Sequence, residues 1–264
     1  MTIIPHLRRV MSRSDDKLRA FDRRKKVHSR QSQKLKRVLS LAVKLWLRTQ
    51  VESVAQLQVN MEAGDRLLIA GLIPRISLSA EKAVYQGLHL SHLQLVAEGI
   101  SINLPQILRG KPLRLQAPVP VVGQIQLESA DLNAGLQSED SLLSRALTDL
   151  LCQLLTSDSK INPQIILNRT PHWQKIALEA GGFTVTGSLL DADGNVAPMV
   201  IRSGVQLASD RELQLYPLDL QMPPDIRVPN RESFLLDLGK EVEIQELTLS
   251  RDLVVCHARV KVMP

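Results

Sequence analysis

The side chains that could carry out chemistry are few and widely separated along this chain. His89 and His92 lie three residues apart on a predicted strand, and strict alternation would place them on opposite faces, which disfavours a metal pair. Asp191, Asp193 and Asn195 resemble the start of a calcium loop, but the glycine comes two residues early and no glutamate follows at the twelfth position. A hairpin turn is the better interpretation. We predict no metal site and no cofactor.

Motifs of nucleotide binding and of nucleophilic catalysis are missing from the sequence. The patterns GxGxxG, GxxxxGK[ST] and GxSxG do not occur. Cys152 and Cys256 stand in neither CxxC nor zinc spacing, which disfavours a disulfide framework and a structural zinc. We therefore predict no catalytic residue and a protein that is not an enzyme.

The composition favours an aliphatic interior. Leucine accounts for 45 of the 264 residues, whereas Phe, Trp and Tyr together number seven. Proteins that hold bases or sugars by stacking need aromatic faces, so this composition argues against such a function. The core of this protein is expected to consist of methyl groups.

Positive charge is concentrated at the start of the chain. Residues 1–50 contain 15 Lys and Arg against three Asp, whereas the remainder is mildly acidic. Three interpretations stay open: a solvated, disordered arm, a nucleic-acid-binding arm, or a segment that docks on an anionic membrane surface. Nucleic acid is disfavoured because Phe21 is the arm's only aromatic residue. The basic residues assigned to membrane docking are Arg23, Arg24, Lys25, Lys26, Lys34, Lys36 and Arg37.

An apolar helical stripe follows the arm and would strengthen membrane docking. Leu35, Val38, Leu39, Ala42, Leu45 and Trp46 fall at helical spacing, and we add Trp46 to the membrane-docking residues. The alternative is that this stripe packs on its own domain, which is the more common role of such a face.

The periodicity predicts an α+β fold. Residues 34–54 and 130–155 are expected to be helical, with Ser138 capping the second part of the later helix. Alternating strands separated by turns fill the rest, and four prolines predict an edge or loop over residues 217–230. A change of phase at Ser91-His92 indicates a bulge or bend. We predict a basic arm over residues 1–34 and a single domain over 35–264.

The leucine-rich helix is the candidate binding element. Its leucines could line a groove for acyl chains, or they could form the ordinary core beneath a sheet. The residues assigned to a lipid groove are Leu143, Leu147, Leu150, Leu151 and Leu154.

Five short motifs together resemble a known family. They are GLIP (71–74), AVYQGLHL (83–90), GISINL (99–104), RGKPLR (109–114) and ADLNA (130–134), in that order. This arrangement resembles the LmeA-type phospholipid-binding family, in its cyanobacterial branch, over residues 35–263. The resemblance implies a tubular lipid-binding type of fold, in which a strongly curved antiparallel sheet wraps around a long apolar helix. It also implies binding or carriage of a lipid without catalysis.

The leading hypothesis is therefore a protein that binds or carries a phospholipid or a related glycolipid at the cytoplasmic face of a membrane. We expect a peripheral protein of the inner or thylakoid membrane, because no signal peptide is evident and the longest uncharged stretch, residues 83–97, is too short to span a bilayer. The main alternative is an interaction or scaffold protein whose core is filled by its own side chains. A nucleic-acid-binding protein ranks third.

Overall fold

A computed structural model describes residues 38–156, 166–226 and 232–264 of the chain. Within these residues, two antiparallel sheets make up most of the structure, and helices lie against them. The helices are α1 (38–50), α2 (Asp65–Ile69), α3 (Leu104–Ile107), α4 (Ser129–Gly135) and α5 (Leu142–Thr156). The predicted α+β class is confirmed. None of the helices in the described ranges is long and apolar enough to cross a bilayer.

The first sheet has six strands in the order β1-β2-β3-β4-β11-β10. Four consecutive antiparallel strands, β1–β4, form two thirds of this sheet, and β11 pairs with β4 and β10 with β11. The strands are β1 (Ser53–Glu62), β2 (Leu72–Tyr85), β3 (Leu88–Ser101), β4 (Val119–Glu128), β10 (Val242–Leu249) and β11 (Leu253–Val262).

The second sheet is a five-stranded antiparallel meander in sequence order. Its strands are β5 (His172–Glu179), β6 (Gly182–Leu190), β7 (Val196–Leu207), β8 (Glu212–Gln221) and β9 (Phe234–Asp237). Residues 191–195 form the predicted hairpin turn, which joins β6 to β7. The Asp191 carboxylate accepts the backbone N–H groups of Asp193 and Asn195 at 2.9 and 2.8 Å, so it stabilises its own turn.

The two largest apolar cores lie beneath different helices, and the core beneath α5 also contacts Leu127 and Val254 of the first sheet. α5 packs with β5–β8, and this core includes the fully buried Leu151 and Leu154 together with Trp173, Val185 and Ile201. The core beneath α1 is separate and joins Leu39 and Val43 to α2, α3 and the adjoining strands of the first sheet. Part of the apolar stripe of residues 38–50 is therefore buried in the core of the same chain, as the alternative interpretation proposed.

The β2–β3 hairpin connects the first sheet to α5. Gln86 and Gly87 both have positive φ, as a type I′ turn requires. The Leu142 N–H donates to the Gln86 carbonyl at 2.7 Å, and a Cβ at Gly87 would lie 2.8 Å from Cβ of Ser141. Glycine is thus required both by the turn and by this close approach.

The helix predicted over residues 130–155 is interrupted. Gly135 ends α4 close to the hairpin, and α5 begins only at Leu142. The capping residue is Ser141 rather than the predicted Ser138, because Ser141 Oγ accepts the Ser144 N–H at 3.0 Å. The side-chain amide of Asn133 in α4 donates to the Ile176 carbonyl and accepts from the Ile176 N–H, at 2.9 Å each. It thereby covers the edge of β5.

The phase change predicted near Ser91 is present. Leu88, Leu90 and Leu93 belong to the same apolar cluster. Two polar residues, Ser91 and His92, separate Leu90 from Leu93, where regular alternation would have one. On the neighbouring strand Lys82 has a φ of 48°. Because of this shift, His89, between Leu88 and Leu90, and His92, next to Leu93, both lie on the face opposite to these leucines. The prediction that the two histidines lie on opposite faces is therefore wrong. His92 Nε2 lies 2.9 Å from Gln94 Nε2.

The edge or loop predicted over residues 217–230 is present in the described part of that range. Residues 217–221 are the end of β8, beyond Leu215, where its pairing with β9 stops, and residues 222–226 form a loop. Pro217 lies where the pairing of β8 with β7 shifts register, between Ser203 and Val205 of β7. Proline is tolerated at such an irregularity because it has no N–H to contribute to the ladder.

Candidate functional site

The inner face of the first sheet carries a continuous layer of aliphatic side chains. Strand pairing aligns Val59, Leu78, Leu95, Gly123 and Ala258 in one row across five strands. The next row aligns Leu57, Ala80, Leu93, Ile125 and Cys256. Because strand side chains alternate, polar residues such as Gln58, Ser77 and Gln94 occupy the outer face.

Helix α1 covers only one end of this inner face. Between α1 and the sheet lies an apolar cavity of about 190 Å³, whose walls include Val43, Trp46 and Leu47 from the helix. From the sheet and its loops, the cavity is lined by Ile73, Ile76, Leu78, Leu95, Ala97, Ile100, Ile102, Leu113, Leu115, Val119, Val121 and Val262.

A second cavity of about 330 Å³ continues along the same face beyond the end of α1. Its walls include Leu57, Ala80, Leu90, Leu93, Ile125 and Ala258. Five residues line both cavities: Leu47, Leu78, Leu95, Val121 and Val262. The two cavities therefore form one groove, which we call the sheet groove.

Small residues in the floor give the sheet groove its depth. Ala97 lies in the floor of the first cavity, and Ala80, Ala83, Gly123 and Ala258 line the second. A Cβ at Gly123 would lie 2.3 Å from a methyl group of Leu95, so the Leu95 side chain occupies the space above this glycine.

The chemistry of the sheet groove is uniform. Of the described residues, those that line the first cavity have apolar side chains apart from the indole of Trp46, and Gln50 and Tyr85 are the ones that add polar groups to the second. Water in such a groove finds few hydrogen-bond partners, so transfer of hydrocarbon into it is favourable. The site can hold an extended apolar chain.

The leucines assigned to a lipid groove lie elsewhere. Leu147, Leu150, Leu151 and Leu154 of α5 are buried in the core against the second sheet, and Leu143 is half-buried against the same core. They are brought together on one face, but they line neither part of the sheet groove. Their contact with lipid stays a prediction.

The residues assigned to membrane docking are mostly not described. Arg23, Arg24, Lys25, Lys26, Lys34, Lys36 and Arg37 lie outside the described residues. Trp46 is described, and its half-buried side chain forms part of the wall of the first cavity.

The model of the LmeA-like phospholipid-binding family matches residues 33–259, which is most of the chain. The chain belongs to this family. No curated protein and no solved structure matches it. Membership confirms the resemblance carried by the five motifs and indicates lipid binding, in a family defined by binding and not by catalysis.

Four of those five motifs contribute directly to the sheet groove. The segment 83–90 supplies Ala83, Tyr85 and Leu90 to the second cavity, and the segment 99–104 supplies Ile100 and Ile102 to the first. The segments 71–74 and 109–114 add Ile73 and Leu113 to the first cavity. The residues that make this LmeA-like chain recognisable thus include part of the groove.

Cys256 lies beside the groove and offers a reporter of its occupancy. It shares the inner face with Ala258 and pairs with Ile125, which lines the second cavity. Burial raises the pKa of the Cys256 thiol, and burial together with nearby Asp149 raises the pKa of the Cys152 thiol on α5. Both thiols are free, and because a raised pKa keeps the thiolate fraction small at neutral pH, we expect both to be alkylated slowly.

We expect a bound lipid to slow alkylation of Cys256 and to leave Cys152 unaffected. Lipid-free and lipid-loaded protein would be treated with a maleimide, and the modified peptides would be quantified by mass spectrometry. Cys152 is the internal control because it lies on α5, against the other sheet. Equal slowing at both cysteines would indicate global stabilisation instead of a ligand in the sheet groove.

Proposed function

We propose that this protein binds a membrane phospholipid with its acyl chains in the sheet groove and its headgroup in water, and that it does so without catalysis. The observation that carries the proposal is the apolar lining that runs from under α1 to Leu90 and Ile125. Membership of the LmeA-like family supports a phospholipid as the ligand.

Burial of acyl chains supplies the free energy for binding. Each methylene transferred from water contributes about 0.8 kcal/mol, so about ten buried methylenes contribute roughly 8 kcal/mol. This corresponds to a dissociation constant on the order of micromolar, before the cost of immobilising the lipid. A diacyl lipid has many more methylenes than that, so partial burial is enough to retain it.

This arrangement differs in one respect from the fold implied by the resemblance. In the fold implied by the resemblance, a curved sheet wraps around one long apolar helix, and the leucines of α5 would face the lipid. In our proposal the lipid lies on the inner face of the first sheet, beside α1. The position of α5 supports this choice, because its fully buried leucines, such as Leu151 and Leu154, already pack against other protein side chains in the core.

Native mass spectrometry of the purified full-length chain tests the proposal, followed by solvent extraction of the bound material. We expect an adduct of phospholipid mass at one lipid per chain. A related glycolipid in the extract would change the headgroup and leave the groove assignment intact. A bare protein mass after incubation with total membrane lipids would contradict the proposal and favour a scaffold with a filled core.

We further propose that the basic arm brings the protein to an anionic membrane surface, at the cytoplasmic face. Each Lys or Arg close to such a surface contributes about 1 kcal/mol. Removal of residues 1–37, which leaves α1 intact, is expected to remove most of the sedimentation with anionic vesicles and to leave neutral vesicles unaffected. Equal binding by the truncated and full-length chains would contradict this role, and unchanged lipid occupancy would confirm that the truncated chain is folded.

A further inference from the structure

We propose that the end of the molecule formed by α1, α2 and α3 is a docking surface for a bilayer containing anionic phospholipid. We call this end the helical tip, defined as residues 38–50, 66–72 and 99–118. The inference rests on the proposed function, because it describes how the sheet groove meets the membrane that supplies its lipid.

The first observation is a concentration of exposed aliphatic side chains. Fifteen large apolar side chains are exposed in the described residues, and seven of them belong to the helical tip. Ile69 of α2 is 69% exposed and Leu108, directly after α3, is 59% exposed. The others are Val38, Leu41, Leu45, Leu67 and Leu72. Such a concentration of exposed hydrocarbon is typical of an interaction surface.

The three helices meet at the same end of the molecule. Leu39 of α1, Leu68 of α2 and Ile107 of α3 are buried in one cluster. The Ile102 N–H donates to the Gly71 carbonyl at 2.9 Å, which joins the segment after α2 to the segment before α3. Leu68 is fully buried while its neighbours Leu67 and Ile69 are exposed, so α2 is fixed by one side chain and presents the next ones outward.

The second observation is charge. The helical tip contains six basic residues and no acidic one: Lys44, Arg48, Arg66, Arg109, Lys111 and Arg114. All six are exposed. Two acids adjoin these ranges in the sequence: Asp65, which is the first residue of α2, and Glu98, which directly precedes residue 99. Exposed aliphatic side chains among basic ones complement an anionic bilayer, which offers hydrocarbon below a layer of negative charge.

The third observation is continuity with the sheet groove. Ile73, Ile102 and Leu113 belong to the cluster beneath the tip, and they also line the first cavity. A lipid that enters at the tip can therefore keep its acyl chains against apolar side chains along its path. The tip adds apolar insertion to the electrostatic attraction proposed for the basic arm.

Vesicle partitioning of the full-length chain tests the proposal. The variant carries Ile69→Glu and Leu108→Glu, and its matched control carries Val196→Glu and Leu235→Glu, which replace exposed residues of the second sheet. Vesicles contain phosphatidylcholine with about a third phosphatidylglycerol, at physiological ionic strength. The tip variant is expected to partition about tenfold more weakly or worse, and the control is expected to match the parent.

A smaller loss in the tip variant, or an equal loss in the control, would overturn the proposal. Thermal unfolding of each variant shows that it is folded, and the milder pair Ile69→Ser and Leu108→Ser provides a second test with the same expected direction. A soluble short-chain phosphatidylglycerol separates this proposal from the previous one. The tip variant is expected to bind this soluble lipid as the parent does, because its sheet groove is unchanged. If the parent itself does not bind the soluble lipid, the proposed lipid site in the sheet groove is wrong, whereas the vesicle result for the helical tip still holds.

Discussion

Val121→Trp is expected to abolish lipid retention while the protein stays folded. Val121 is half-buried and lines both parts of the sheet groove, so an indole there occupies the space of the ligand. Displacing about four methylenes costs roughly 3 kcal/mol of binding, which is on the order of a hundredfold in affinity. Native mass spectrometry and lipid extraction would measure the occupancy.

Val122→Trp is the matched control, because the adjacent residue faces the other side of the sheet and is 37% exposed. It introduces the same ring on the same strand and is expected to retain lipid as the parent does. A second pair on β11 repeats the comparison: Ala258→Trp on the inner face and His257→Trp on the outer face. If the inner and outer variants retained lipid equally in both pairs, the sheet groove would not be the binding site.

The sheet groove was harder to predict from the sequence than the leucine-rich helix. A helix with many leucines is a conspicuous local signal, whereas the groove is assembled from five strands, four consecutive ones (β1–β4) and the distant β11. Its floor combines Ala80, Gly123 and Ala258, which become neighbours of the same face only through strand pairing. The available signal was the placement of small residues at inward positions of otherwise aliphatic strands, and periodicity alone does not show that these positions meet.

Most individual elements were predictable because their signals are local. The helix at residues 38–50 lies inside the predicted range, and most of the segments predicted to be strands are strands. The segment 66–70 is an exception, because its pattern predicts a strand whereas most of it belongs to the helix α2. The division into two sheets was not predictable in this way, since β11 pairs with β4 across more than half of the described chain. The break before α5 also depends on tertiary structure, because Gly87 and Gln86 of a distant hairpin contact the start of that helix.

The role of α5 is decided by comparing stability with lipid occupancy. Leu151→Ala and Leu154→Ala each remove a fully buried side chain from the core between α5 and the second sheet. We expect each to lower the free energy of unfolding by about 2–5 kcal/mol and to leave lipid occupancy unchanged. Denaturant unfolding and native mass spectrometry on the same samples would measure both quantities.

Leu235→Ala is the matched control for these truncations, because this leucine of the second sheet is 56% exposed. Its effect on stability is expected to stay within about 0.5 kcal/mol. Aspartate at Leu147 and Leu150 would be a less informative change, since an unpaired charge in this core is expected to unfold the protein. If instead the α5 truncations left stability unchanged and released the lipid, the acyl chains would lie against α5. The groove on the first sheet would then need another ligand.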